Sequence, residues 1–441
     1  MANRYWVGTS ALNRSGTWDT TTTSVWSTSS GGAGGASVPT AADSVFFPNA
    51  ATYTVTMTGA LACLDITVSA GAVTFATGTT PTLAVSGSMS LIAGTVWSST
   101  GAVTFNATTT GKTVTTNNIS ISAAVTFNGT GGGWTLGSNF TATGTLSVLA
   151  GALNTSAAGN YSLTLGGSFV LTGGTTTLNA SSISIAGTLT VTNATYISSG
   201  TSTITITNTS GITFAGGGAT YYNVSFTAAA LNSKTITGAN TFNNLTFTAP
   251  SITYIVTQTI NANQTINGTF SVVGTTAVIR MLFVSNTLGT ARTLTCAAVS
   301  IPDCDFRDIT LAGAAAGSSP TRAGNCGGNT GITFPAAKTV YWNLAGAQNW
   351  SATGWATSSG GTPAVNNFPL AQDTAVFDNT GAVTGIITMN NAWRIGTIDM
   401  STRTSAMTLA TGSTSINIYG DLKNGTGVTY TGKETFIFSG K

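Results

Sequence analysis

Short apolar–small–apolar triplets punctuate the chain. They begin at Leu64, Leu83, Val103, Val125, Leu146, Leu163, Ile183, Ile204, Val224, Leu245 and Phe270, so successive first positions differ by 19, 20, 22, 21, 17, 20, 21, 20, 21 and 25 residues. Within a triplet the outer positions share one face and the middle position takes the other, which is the alternation of a strand. Val, Ile, Phe and Thr dominate, and these types suit a pleated, half-buried surface. Other triplets, such as Ile119-Ser120-Ile121 and Leu189-Thr190-Val191, lie between, so the ladder is one phase among several. Glycines separate triplets in LGGSF, IAGTL and INGTF, where the chain must bend or approach itself closely. Strands this short cannot build a sandwich with long hairpins, and Asn128-Gly129 and Asn267-Gly268 are isolated rather than a hairpin series.

The pattern therefore predicts an all-β fold, a parallel right-handed β-helix or solenoid with about 21 residues per coil. Apolar residues turn inward and coils stack at about 4.8 Å, so eleven triplets span on the order of 50 Å. Middle residues then form an outward column, mostly Ser and Thr, with Asp65 and Ala84 near its start. Uncharged hydroxyls suit such a column, because like charges stacked at that spacing repel.

A second pattern overlies the first. The opening carries Tyr5-Trp6, Trp18, Trp26, Gly31-Gly32, Pro39, Asp43 and Phe46-Phe47; the same order returns as Tyr341-Trp342, Trp350, Trp355, Gly360-Gly361, Pro369, Asp373 and Val376-Phe377. The likeness runs on, LAVSGSM at 83–89 against INIYGDL at 416–422. The chain is thus modular: a Trp/Gly-rich capping segment over 1–50, a β-solenoid over 51–300, a Cys/Gly/Ala-rich cap or joint over 301–338, and the start of a second copy over 339–441. The second copy is incomplete, which leaves its last coil without the polar cap that solenoids need and implies a longer natural chain or a covering partner.

Composition narrows the chemistry. Charged residues make up 6% of the 441, against about 25% in ordinary soluble domains, and the net charge of +3 is scattered, without a basic stripe for nucleic acid. Hydrophobic residues reach 41%, enough for a core, yet no apolar run approaches the about 20 residues that span a bilayer. MANRYWVGTS lacks a charged segment followed by an apolar one, so no Sec signal is expected. Cys63, Cys296, Cys304 and Cys326 show no CxxC spacing. Reduced thiols are expected, and a bridge among the last three cannot be assigned from sequence.

No histidine occurs, which excludes a Ser-His-Asp triad and His-ligated zinc. Between Asp65 and Asp303 there is no Asp or Glu, whereas glycoside hydrolysis uses two carboxylates; the only Glu is Glu434. A lyase base would have to come from Lys112, Lys234, Arg280 or Arg292. In DCDFRD, Asp303, Asp305 and Asp308 could serve calcium, but the spacing is not that of an EF-hand, and a solvated turn with Arg307 paired to a neighbour is the preferred reading. Asp43 and Asp373, in P-x-A-x-D, read as turn-fixing residues rather than ligands. Trp6, Trp18, Trp26, Trp342, Trp350 and Trp355 read as hydrophobic caps rather than sugar platforms, and Trp97 and Trp134 have no assigned role. The N-x-S/T triplets at 106–108 and 128–130 are expected by chance. No catalytic, cofactor-binding or metal-ligating residue is assigned and no cofactor is expected.

The pieces RYWVG…GTW…GGAGGASVPTAADSVFF and DCDFRDITLAGAAAG…AGNCGGNTGITF…KTVYW resemble those of virion-associated proteins of tailed bacteriophages. The resemblance covers the opening, the joint and the restart. It implies a non-enzymatic structural part of the virion: a β-helical fibre, tail appendage or capsid-decorating rod that contacts other virion proteins and a host surface glycan. Fibres of this kind often form homotrimers, so a homo-oligomer is expected. The alternative is a bacterial extracellular adhesin or filament. An ice-binding solenoid and a polysaccharide-degrading tailspike rank below both.

Overall fold

The computed structural model describes residues 2–10, 14–227, 233–250, 255–412, 415–432 and 435–439. The fold is nearly all β, a parallel solenoid of about 17 turns with roughly 22 residues per turn. Among the described residues helix is confined to three single 3-10 turns, Ala194–Tyr196, Gly313–Ala315 and Val365–Asn367. The chain forms two compact units, Met1–Asn208 with Ile212–Ser225, and Thr209–Gly211 with Phe226–Lys441.

In the first unit each turn carries three short strands, one on each of three faces. The turn through Phe140–Ala142 continues into Leu146–Asn154, whose two ends occupy the second and third faces. Phe140 pairs with Leu163, Leu163 with Ile183 and Ile183 with Ile204 on the first face. On the second face Leu83 pairs with Val103, Val103 with Val125, Val125 with Leu146, Leu146 with Phe169 and Phe169 with Leu189. The third runs through Leu153, Thr176 and Ile197. All of these point inward, and burial of Leu163, Ile183, Ile204, Leu146, Phe169 and Leu189 to 1% exposure or less makes a dry core.

This geometry corrects the phase of the sequence ladder. Leu146 and Leu163 are not stacked. The partner of Leu163 one turn back is Phe140, so the short 17-residue step marks a jump from the second face to the first. Leu64 and Asp65 sit at a corner between the strands Ala60–Cys63 and Ile66–Val68 rather than in a strand. Three similar triplets per turn explain both errors, because alternation reports burial and not which face is buried.

The corner between first and second faces shows why glycine recurs there. A Cβ on Gly167 would lie 2.6 Å from the carbonyl carbon of Gly144, and one on Gly187 would lie 2.5 Å from the Ser168 nitrogen. Trp97 and Trp134 prove to be core residues. Trp97 packs on Phe75 at 4.8 Å between ring centres, and Trp134 meets Phe127 edge-on at 5.2 Å.

In the second unit, Lys234–Thr237, Ile255–Ile260, Arg280–Ser285, Cys304–Arg307 and Gly324–Asn325 pair successively in one parallel ladder. The strands Thr241–Thr248, Gln264–Val273, Arg292–Ser300 and Ile309–Ala312 form another. Phe283 sits between them against Phe247, Phe270 and Phe306.

The strands after residue 338 repeat the opening of the first unit. Trp6 pairs antiparallel with Trp26 and Trp342 with Trp355, while Tyr5 pairs parallel with Phe46 and Tyr341 with Val376. The indole pairs are edge-on in both, with centres 5.1 Å apart for Trp6–Trp26 and 5.0 Å for Trp342–Trp355.

All four cysteines are buried free thiols. Burial pushes the Cys296 and Cys326 thiols up to about 12, and those of Cys63 and Cys304 up as well. Native protein should therefore resist maleimide labelling, and urea should expose four reactive thiols. The sign of the pH effect follows. An unfolded thiol ionises near about 8.5, so above that pH the fold holds more protons than the unfolded chain. The stability these groups contribute is complete below about pH 8.5 and falls as pH rises toward about 12, which urea midpoints at stepped alkaline pH would show.

Candidate functional site

The outward positions of the first unit form a regular surface. On the first face Ser120, Thr141, Thr164, Ser184 and Thr205 stand in register on successive strands. On the second, Thr104, Thr126, Ser147, Val170 and Thr190 do the same. Apart from the half-buried Ile119 beside Ser120, the neighbours of each hydroxyl in its strand are buried aliphatic or aromatic residues, so the ladder positions are fixed from beneath. The surface offers hydrogen-bond donors and acceptors at a repeat of about 4.8 Å, without a formal charge.

The three carboxylates of 303–308 are not in a solvated turn. Asp303, Asp305 and Asp308 are 1%, 2% and 4% exposed. Their positions are set by the solenoid: Leu282 pairs with Asp305, which places Arg280, two residues before Leu282, beside that carboxylate one turn away. Arg280 Nη2 lies 2.6 Å from Asp305 Oδ1, and Nη1 lies 3.6 Å from Asp303. Arg280 Nη2 also donates to the carbonyls of Cys304 and Arg322. Burial works against the charge on Arg280, but Asp305 foremost and then Asp303 hold its pKa above the usual value. Arg322 Nη2 completes the chain by donating to Asp303 Oδ2 at 2.7 Å.

Asp308 turns elsewhere, accepting from the Gly289 amide at 3.1 Å and lying 3.8 Å from Arg307 Nε. The expected Arg307 pairing is present; the expected solvation is not, because buried carboxylates in this joint are neutralised by guanidinium groups. Among the described residues no group of three or more His, Cys, Asp or Glu is arranged to hold a metal ion.

Asp43 accepts from the Thr40 amide and hydroxyl at 3.1 and 2.8 Å and from the Ala2 amide at 3.2 Å. Burial alone would raise its pKa, and these bonds with Arg4 outweigh that and hold it below the usual carboxylate range. Asp373 repeats the role, accepting from the Leu370 and Lys338 amides at 2.9 and 3.0 Å and from Lys338 Nζ at 2.6 Å. Both are turn residues, as the sequence suggests.

The six cap tryptophans are each 1% exposed or less, so none offers a ring face to a sugar. Of the cations in the main solenoid, Lys234 and Arg280 are buried, and Arg292 donates to Asn286 Oδ1 at 2.9 Å. Asn106 accepts from Ser86 Oγ at 2.9 Å, and Asn128 is exposed. Glu434 lies outside the described residues.

One cavity of about 460 Å³ is lined by Leu288, Gly289, Arg307, Asp308 and Cys326 among others, and another of about 380 Å³ by Ser198, Ser199, Gly200 and Thr220 among others. Neither brings two carboxylates together. Sequence reasoning missed Arg403, which is 2% exposed and donates to the carbonyls of Asp378, Val383 and Ser405 at 2.6, 2.8 and 2.8 Å. It pins the loops of the second copy, and no local motif marks it.

No family model, no curated protein and no solved structure matches this chain. Among the described residues no helix is long and apolar enough to cross a membrane.

Proposed function

We propose that this chain is a structural protein of a tailed-phage particle: a fibre, tail appendage or capsid-decorating rod whose work is mechanical and adhesive. The observation that carries the reading is the in-register hydroxyl column Ser120–Thr141–Thr164–Ser184–Thr205 over a dry core. Continuous strand stacking resists bending and hides strand edges except at the ends. A neutral hydroxyl surface repels neither an anionic capsid nor a glycan and can hydrogen-bond to both. The motif resemblance of the opening, joint and restart supports the virion assignment. In the same reading the partners are other virion proteins, further copies of the chain in a homo-oligomer, with a trimer first in line, and a host surface glycan.

Immunogold electron microscopy on phage particles purified from the host that makes this chain tests the reading. Gold at a fixed place on head or tail is expected. Label confined to the bacterial envelope, with the chain absent from purified particles by mass spectrometry, would overturn it in favour of the adhesin.

A further inference from the structure

The strand Arg280–Ser285 is buried along its whole length, on both faces. Met281 and Phe283 point into the solenoid. Leu282 and Val284 point outward, yet each is only 4% exposed, because with Ile255 they join the hydrophobic cluster built on Trp342, Trp355 and Trp393 of the second copy. The second copy thus docks on the outer face of this ladder.

Polar contacts fix the register. Arg322 Nη1 donates to Asn366 Oδ1 at 2.8 Å, and the Asn325 amide donates to Gln372 Oε1 at 2.9 Å while Gln372 Nε2 donates to the Ala323 carbonyl at 3.0 Å. Arg394 Nη2 reaches Thr257 Oγ1 at 3.5 Å, and Tyr419 and Cys326 are buried in the same hydrophobic cluster.

The first copy lacks every one of these groups. Aligned through Pro39 with Pro369 and Asp43 with Asp373, Asn366 and Gln372 correspond to Ala36 and Ala42. Aligned through the strand registers, where Val45 pairs with Ile66 and Ala375 with Ile398, Arg394 corresponds to Ala62; the next strand places Tyr419 opposite Ser86. Burial follows the same division. Thr40, Ala41 and Ala42 are exposed, whereas Leu370 and Ala371 are 3% and 0% exposed.

We propose that the outer face of residues 255–326 is a recognition surface for a module cap of the second-copy type. It accepts a cap bearing Asn366, Gln372, Arg394 and Tyr419 and does not accept a cap of the first-copy type. The order of modules is then written in these four positions, since shape and apolar burial favour docking but polar groups left unpaired in the joint discriminate against the wrong cap.

Cys326 provides the readout. It lies on the outer face, covered by the docked copy, whereas Cys63, Cys296 and Cys304 are buried within the solenoid core. In the full chain, Asn366→Ala, Gln372→Ala, Arg394→Ala and Tyr419→Ser together convert the second cap to first-copy residues. Maleimide labelling of Cys326, located by peptide mass spectrometry, is expected to rise at least about tenfold, with the other three thiols protected. The pair Asn366→Ala and Gln372→Ala alone should give a smaller rise at the same thiol. No change at Cys326 in the fourfold variant, or labelling of all four thiols together, would overturn the proposal.

Discussion

Replacing Arg280 with methionine is expected to destabilise the second unit by about 3–5 kcal/mol, the range for removing one partner of a buried ion pair. The guanidinium is 2% exposed and lies between Asp305 and Asp303, themselves 2% and 1% exposed. Its loss leaves Asp305 charged, buried and without its cation. The carbonyls of Cys304 and Arg322 also lose a donor. A second substitution separates charge from packing. Asp305→Leu added to Arg280→Met removes the stranded carboxylate and should recover most of the loss, because a buried pair replaced by apolar groups is often neutral. Urea midpoints of the wild type, the single and the double variant provide the comparison. A double variant no more stable than Arg280→Met would show that the charges are not what the joint depends on.

Phe283→Ala is expected to lower stability by a similar about 3–5 kcal/mol, from lost transfer energy and an unfilled cavity. Its ring is 5.3 Å from that of Phe247, 5.2 Å from Phe270 and 5.9 Å from Phe306, so it belongs to both ladders of the second unit at once. The strand it sits on is held from the other side by the docked second copy, which limits collapse around the void and favours the upper part of the range. Phe283→Leu, which keeps most of the volume, should lose less than half as much. Thermal or urea unfolding followed by far-ultraviolet circular dichroism would measure both; equal losses would show that the site can collapse and that the aromatic packing is not the source of stability.

The fold class was legible because inward residues alternate with Ser and Thr at most rungs. The registration was less so. Leu146 and Leu163 look like consecutive rungs but belong to different faces, and only the pairing of Leu163 with Phe140 reveals it. The caps were legible from the aromatic spacing alone, since Trp6, Trp26 and Phe47 can meet only if the opening folds back on itself, and the same spacing returns at Trp342, Trp355 and Phe377.

The buried ion pairs of the joint were missed although a signal existed. Arg280 precedes Asp305 by 25 residues, about one turn, so a reader holding the period could have placed them side by side. The docking face had a signal too. Met281-Leu282-Phe283-Val284 breaks the alternation that prevails elsewhere, and a continuous apolar run marks a strand covered on both faces. What covers it was beyond local pattern, because the contacts of Asn366, Gln372, Arg394 and Tyr419 depend on how two modules meet.

Disulfide trapping between neighbouring rungs tests the parallel solenoid most directly. Thr164 and Ser184 pair in register on the outward side of the first face, and Ser184 pairs in turn with Thr205. Neighbouring strands lie about 4.8 Å apart, within the about 4.4–6.8 Å between Cα atoms that a disulfide bridges. In a chain carrying Thr164→Cys and Ser184→Cys, mild oxidation should give one intramolecular bridge without loss of stability, and Ser184→Cys with Thr205→Cys should do the same. Chains in which both pairs stay reduced under conditions that oxidise exposed thiols, or bridge only after unfolding, would contradict the winding of the backbone described here.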